Sequence, residues 1–279
     1  MRVLIISDME GVSGIVRWEQ VSAGQPMYEE GRRLYTADVN AAIRGAFAGG
    51  ADDVWVMDWH GAGGGYSFNS LIPEELDERC TYVVQERIPQ YTGPLELGCD
   101  AAFLVGMHAR AGTSDGIMNH TVFGSQWHEL RFNGVLVGEP GVNAALCGAF
   151  DCPVVLVTGD EAVCRQTAEL LGPQVLPVAV KQGIGAVSGV LIPPKRARRM
   201  IENAAAEAIG QLAGAKPYDP GRPCEIEVLF QNTRAFDDFR WRPGVEVAGE
   251  RRIVVTGPDW WTAWKNFAEV SVYRPSSNG

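Results

Sequence analysis

Val3-Leu4-Ile5-Ile6-Ser7-Asp8-Met9-Glu10-Gly11 starts as a strand and ends as a chemical motif. Its first four residues are apolar and three of them β-branched, the composition of a short buried strand. Gly11 breaks the element. In extended chain, side chains two apart point the same way, so Asp8 and Glu10 face one spot beyond the strand's carboxyl end. Two carboxylates that close repel each other unless a cation lies between them. Asp8-x-Glu10 is therefore a candidate metal site, set against the plainer reading in which Asp8 caps the next segment.

The same pattern recurs downstream. Residues 28–49 keep helical spacing through Leu34, Ala37, Ala41, Ala42, Gly45 and Ala46, with Gly49-Gly50 as the stop. Residues 53–57 predict a second strand ending in Asp58-Trp59-His60-Gly61, where Asp58 and His60 share a face. Residues 101–105 predict a third, followed by Gly106-Met107-His108-Ala109. A hairpin over 131–137 turns on Asn133-Gly134. Glu139-Pro140 then opens a helix to about residue 150, proline suiting the first helical position. Strands over 153–157 and 175–180 flank a helix that starts at Thr158-Gly159-Asp160 and runs through Leu171.

Strands alternating with helices imply an α/β fold, a mostly parallel sheet with helices on both faces. Ligands in such sheets sit beyond the carboxyl ends of the strands. Asp8, Glu10, His60 and His108 all fall there, and independent strands delivering ligand-type residues to one rim outweigh any single motif. Gly61-Ala62-Gly63-Gly64-Gly65 matches neither a dinucleotide fingerprint, since Tyr66 holds the sixth position, nor a phosphate loop; it reads as a lid or wall.

The pattern changes around Ile192-Pro193-Pro194. An amphipathic helix over 195–213, a linker-like run over 216–223, strands over 225–230, 245–247 and 253–256, and a final helix capped by Asp259 are α+β in character. The expected organisation is a catalytic α/β domain over 1–190 and a smaller α+β domain over 191–279 that supplies oligomer contacts. Trp260, Trp261, Trp264 and Phe267 on the last helix suit a core or subunit interface better than a binding platform.

Composition narrows the function classes. The chain has 279 residues, 46% of them hydrophobic and 21% charged, which is ordinary for a globular protein. A net charge of −10 argues against a nucleic-acid partner, because nothing would neutralise phosphates. Six cysteines include no Cys-x-x-Cys pair, so a thiolate zinc site is not expected. No apolar run reaches membrane-spanning length, and the amino terminus enters a strand without the features of a signal peptide. The expected setting is cytoplasmic, with reduced, buried thiols and no membrane partner.

The candidate constellation is Asp8, Glu10, His60, His108 and Glu139, with His120 and His128 nearby in sequence. Imidazoles and carboxylates without thiols suit Zn²⁺, with Mn²⁺ or Co²⁺ as substitutes. Five ligands with a bridging aspartate would hold two ions roughly 3.5–4 Å apart, as in many hydrolases. Taken singly, each has a plain structural role open to it: a strand-end histidine, a helix-start glutamate, and for His128 a place beside Trp127.

Asp8-Met9-Glu10-Gly11, Asp58-Trp59-His60, Gly106-Met107-His108-Ala109-Arg110-Ala111, Met118-Asn119-His120, Val137-Gly138-Glu139-Pro140-Gly141-x-Asn143 and Ala179-Val180-Lys181-Gln182 resemble, in order, the zinc D-aminopeptidase family named for a bacterial dipeptide-transport operon. The resemblance covers about the first two thirds of the chain. It implies two zinc ions per subunit, Asp8 bridging them and Glu10, His60, His108 and Glu139 completing the sites. It implies His120 as the catalytic histidine, a decameric homo-oligomeric ring, and short peptide substrates with an N-terminal D-residue. The chemistry expected is attack by metal-bound hydroxide on the scissile carbonyl, with His120 as acid/base or oxyanion donor.

Asn119, Asn143 and Lys181 are secondary candidates for substrate positioning, and Trp59, Tyr66, Phe123 and Trp127 for pocket walls. The alternatives are another metal-dependent amidohydrolase or a phosphoesterase on the same scaffold, or a non-catalytic metal-binding ring protein. Phosphoester chemistry would want cations at the rim, where only Arg110 and Lys181 offer themselves.

Overall fold

The computed structural model describes residues 1–85 and 92–268. In chain order the elements are β1 (Arg2–Ser7), α1 (Tyr28–Ala48), β2 (Asp53–Asp58), β3 (Cys80–Val83), α2 (Gly93–Glu96), β4 (Ala101–Met107), β5 (Trp127–Phe132), β6 (Val135–Val137), α3 (Glu139–Gly148) and β7 (Val154–Asp160). There follow α4 (Glu161–Leu171), β8 (Leu176–Gly185), β9 (Ser188–Leu191), α5 (Pro194–Gly210), β10 (Cys224–Phe230), α6 (Thr233–Phe239), β11 (Val245–Gly249), β12 (Arg252–Gly257) and α7 (Trp260–Ala268).

The apolar alternation of β1 divides the core in two. Val3 and Ile5 point to one face, where they join Tyr35 and Val39 of α1 and Ile201 and Ala205 of α5. Leu4 and Ile6 point to the other, where they join Val142 and Leu146 of α3, Val163 of α4 and the aromatic residues of α7. A strand buried on both faces needs apolar residues at every position, which is why β1, β4 and β7 read as continuous apolar runs.

Sheet order is β3-β2-β1-β4-β7-β8-β9, all parallel except the last pair. The chain fills positions on one side of β1 and then crosses to the other. The direction reverses between β1 and β4, the place where open α/β sheets bind ligands. The α/β expectation, a mostly parallel sheet with helices on both faces and additional α+β structure, describes the molecule.

The second sheet runs β11-β12-β10-β5-β6 and is antiparallel throughout. Its strands β5 and β6 come from residues 127–137, so a cut at residue 190 separates β10 from its partner β5. Helix α5 packs on α1 against the first sheet. The last part of the 191–279 stretch, residues 269–279, lies outside the described residues. Asn133 and Gly134 both take positive φ, 45° and 80°, as the tight hairpin between β5 and β6 requires. Trp260, Trp264 and Phe267 are buried, packed against Trp127 and Phe132. All six cysteines are free, and only Cys80 is partly exposed.

Glycine sets how closely β1 and β4 approach. Gly106 has φ 75°, and a Cβ there would lie 2.1 Å from the Asp8 carbonyl oxygen. Gly11 donates its N–H to the Gly106 carbonyl at 2.8 Å, continuing the pairing beyond the strands. A Gly106→Ala substitution is expected to destabilise the protein by about 2–4 kcal/mol, combining left-handed strain with overpacking. Denaturant unfolding in the presence of chelator measures this; an unchanged midpoint would show that the close approach is dispensable.

Candidate metal centre

Three strand ends and one helix start converge on a single pit. Asp8 and Glu10 follow β1, His60 follows β2, His108 follows β4, and Glu139 is the first residue of α3. All five are 5% exposed or less, while His120, in the loop after β4, is half-buried. Backbone pairing past the strand ends fixes their relative heights: Asp8 N–H donates to Val105 O and Trp59 N–H to Ser7 O, each at 2.8 Å.

The two oxygens of Asp8 diverge. Oδ1 lies 3.1 Å from His60 Nδ1, and Oδ2 lies 3.5 Å from His108 Nε2. Glu10 Oε2 is also 3.1 Å from His60 Nδ1, and Glu139 Oε1 is 3.1 Å from His108 Nε2. The ligand atoms of Asp8, Glu10 and His108 lie within 4.8 Å of one another, as do those of His108, His120 and Glu139. His120 stacks on His108 with ring centroids 4.0 Å apart, its Nε2 3.6 Å from Glu139 Oε1.

The donor set calls for cations. Each imidazole has one nitrogen on a main-chain carbonyl: His60 Nε2 on Val21 O at 2.7 Å, His108 Nδ1 on Ala109 O at 3.0 Å and His120 Nδ1 on Met118 O at 2.9 Å. A neutral ring donating there turns its other nitrogen, a lone pair, toward carboxylate oxygens. Two acceptors face to face need a proton or a metal ion between them. Glu10 Oε2 is buried and, 3.1 Å from His60 Nδ1, has no well-formed hydrogen bond. Imidazole and carboxylate donors, buried and pre-oriented, fit a zinc-type divalent ion.

Electrostatics say the same. Burial, with Glu10 alongside, pushes the Asp8 carboxyl up to about 8. Burial pushes Glu10 and Glu139 up as well, but His60 in the first case and His108 in the second outweigh it and hold both below the ordinary value. Burial alone would lower His60 and His108; the facing carboxylates lift His60 well above its usual value and His108 to about 10. His120 moves the opposite way, lowered by burial and by its neighbour His108.

The irregular stretch after β1 is rigid. Buried Lys181 on β8 donates to the carbonyls of Glu10, Val12 and Ile15 at 2.5, 3.0 and 2.6 Å. Asp38 of α1 accepts from the Ser13 N–H and hydroxyl, each at 2.8 Å. Gln20 accepts from the N–H groups of Val16 and Arg17 and donates to Gly14 O, which closes the turn that carries Trp18 and Val21. Asp58 sits behind His60, accepting from the His60 and Ser70 N–H groups and the Tyr35 hydroxyl.

A cavity of about 660 Å³ opens in front of these groups. Asp8, Glu10, His60, His120 and Glu139 line it, with Trp18, Trp59, Phe68, Val122 and Phe123 among its walls. No Arg or Lys lines it among the described residues. Trp127 is core, and Tyr66 packs on Tyr28 and Arg32, so neither is a wall. Lys181 is bonded to the Glu10, Val12 and Ile15 carbonyls, Asn119 to Gly112 N–H and Gly116 O, and Asn143 is fully buried, so all three side chains are engaged within the fold and none lines the cavity. His128 is exposed on β5 and borders a different cleft. Sequence reading missed Trp18 and the Val21 carbonyl, which lie in a stretch without periodicity, and the burial of Gln20 that fixes the turn there leaves no mark in the sequence.

Comparison with known proteins agrees with this geometry. The sequence profile of peptidase family M55, described as D-aminopeptidase, matches residues 1–268. The D-aminopeptidase of Bacillus subtilis (strain 168) is 31% identical over 248 residues, 88% of each chain. The solved structure of the Zn-dependent D-aminopeptidase DppA from Bacillus subtilis, a self-compartmentalizing protease, superposes with a TM-score of 0.86 at 27% identity, covering 98% of this chain and 100% of that one. Fold and site together define a metallo-aminopeptidase. The chain belongs to the D-aminopeptidase family.

Lys181 generates a test. Burial pushes its ammonium down to about 8 from an ordinary 10.5. Between those values the unfolded chain binds more protons than the folded one, so stability rises with pH. Relative to Lys181→Met, the parent is expected to gain up to roughly 3 kcal/mol across that window. Below it, the variant's loop after β1 should exchange its amides faster, because three carbonyls lose their donor. Identical pH profiles for the two proteins would contradict this account of Lys181.

Proposed function

We propose that this chain is a dizinc aminopeptidase that removes an N-terminal D-residue from short peptides. The observation that carries it is Asp8, whose two oxygens serve two separate imidazole–carboxylate pairs. Asp8, Glu10 and His60 would hold one ion, and Asp8, His108 and Glu139 the other. The family profile and the zinc dependence of the solved relative support the reading of a zinc aminopeptidase. Mn²⁺ and Co²⁺ suit the same donors.

Zinc bound there would polarise a peptide carbonyl and lower the pKa of a water, making it a nucleophile near neutral pH. The protein's own contribution is orientation and proton transfer. Main-chain carbonyls of Val21 and Ala109 hold the rings of His60 and His108. His120 has its Nδ1–H on Met118 O, so its Nε2 is free to take a proton during attack and return it to the departing amine. Its lowered pKa keeps it neutral, the form a base requires. Among the described residues no Arg or Lys lines the cavity, which disfavours a phosphoester substrate.

The solved relative is described as self-compartmentalizing, and a homodecameric ring that admits only short peptides is the assembly we propose here. No helix of the described residues is long and apolar enough to cross a membrane, and we place the enzyme in the cytoplasm.

Release of amino acid from diastereomeric dipeptides should be zinc-dependent, abolished by chelator and strongest for D-first peptides. Cleavage of L-first peptides alone would keep the metal chemistry and remove the stereochemical reading. His120→Ala is expected to lower kcat by about 10²-fold or more with zinc content unchanged by elemental analysis. Loss of one ion in that variant would make His120 a ligand, the role its distance from Glu139 also allows. Asp8→Asn should lose both ions, as a shared ligand must.

A further inference from the structure

Two partly exposed aromatic side chains line the cavity. Trp18 is 44% exposed and Phe123 48%, whereas most other tryptophans and phenylalanines pack in the core. Trp18 leans on His120, ring centroids 5.7 Å apart, and Phe123 meets the buried Trp127 edge-on at 5.4 Å. Both are held from behind. The Gln20 side chain closes the turn that carries Trp18. Val122, a β-branched residue at φ 53°, donates its N–H to Glu139 at 2.9 Å, which pins the backbone leading to Phe123. Strain of that kind persists where the surroundings impose it.

The remaining lining is neutral. Among the described residues, no side chain bordering the cavity carries a charge apart from Asp8, Glu10, His60, His120 and Glu139. A cationic or acidic substrate side chain would lose water there without gaining a partner. A methyl group would leave both rings wet in a cavity of about 660 Å³. An aminopeptidase must seat the N-terminal residue beside its metal ligands, whereas the rest of the peptide extends outward.

We propose that Trp18 and Phe123 form an aromatic subsite that selects a bulky apolar side chain on the substrate's N-terminal residue, over glycine, alanine or a charged residue. This rests on the aminopeptidase reading above. It makes Trp18 and Phe123 specificity-determining residues that touch substrate.

The test compares peptides differing only in the first residue (glycine, alanine, leucine, phenylalanine, lysine or glutamate), with zinc content checked for every protein. For the parent, kcat/KM for phenylalanine- or leucine-first peptides is expected to exceed that for alanine-first by about tenfold or more. Trp18→Ala and Phe123→Ala should each shrink that ratio, chiefly by raising KM for the bulky peptides, while Trp18→Phe largely restores it. Calorimetric binding of phenylalaninamide and alaninamide to the zinc-loaded protein separates the two readings. Tighter phenylalaninamide binding that is lost in Trp18→Ala would support the subsite even if no peptide were cleaved. Equal binding of the two amides, or a peptide preference unmoved by both alanine variants, would overturn it.

Discussion

Three carboxylates share a pit that water barely reaches, and the rest of the structure is arranged around that electrostatic cost. Asp8, Glu10 and Glu139 cannot all be ionised there without positive charge among them. His60 and His108 meet the demand as far as protons can, which is why their basicity rises against the effect of burial. The arrangement stays unbalanced at Glu10 Oε2, buried with no donor of its own. Divalent cations, the occupants proposed above, would balance these acids, which are pre-oriented instead of splayed into solvent.

Orientation comes mainly from the backbone. Each of the three imidazoles is fixed by a main-chain carbonyl, and the Asp8 and Glu139 carboxylates accept main-chain N–H groups from Met9 and Val122. A site built this way requires its loops to be as rigid as its strands. Lys181, Asp38 and Gln20 supply that rigidity by satisfying the polar groups of residues 10–20, a stretch with almost no regular structure. Buried charge is spent here on holding a loop in place, a use distinct from catalysis.

The convergence of the candidate ligands was legible because parallel strands bury both faces and deliver their next residues to one rim. β1, β2 and β4 announce themselves as apolar runs, and a ligand-type residue follows each within a few positions. The Asn133-Gly134 turn was equally plain. The second sheet was not, because the pairing of β5 with β10 spans about ninety residues and leaves no local trace. Trp127 read as a pocket wall for the same reason: its partners Phe239, Trp264 and Phe267 arrive from the far end of the chain. Lys181 sat in a motif and looked functional. Its three carbonyl partners lie some 170 residues earlier, where nothing in the sequence advertises an unmet acceptor.

His120 shows how one residue type divides labour by surroundings alone. His60 faces two carboxylates at 3.1 Å, and His108 has Glu139 at 3.1 Å and Asp8 at 3.5 Å. His120 has one carboxylate, at 3.6 Å, and a second imidazole stacked on its face. Attraction therefore wins over burial for the first two, and burial plus like-charge repulsion wins for the third. Any cation that fills the space between the carboxylates sharpens the contrast, since it displaces the protons on His60 and His108 and further disfavours one on His120. The ring left neutral borders the open cavity, where a proton can be exchanged with a bound molecule. The acid–base role proposed for His120 fits its place one step farther from the charge.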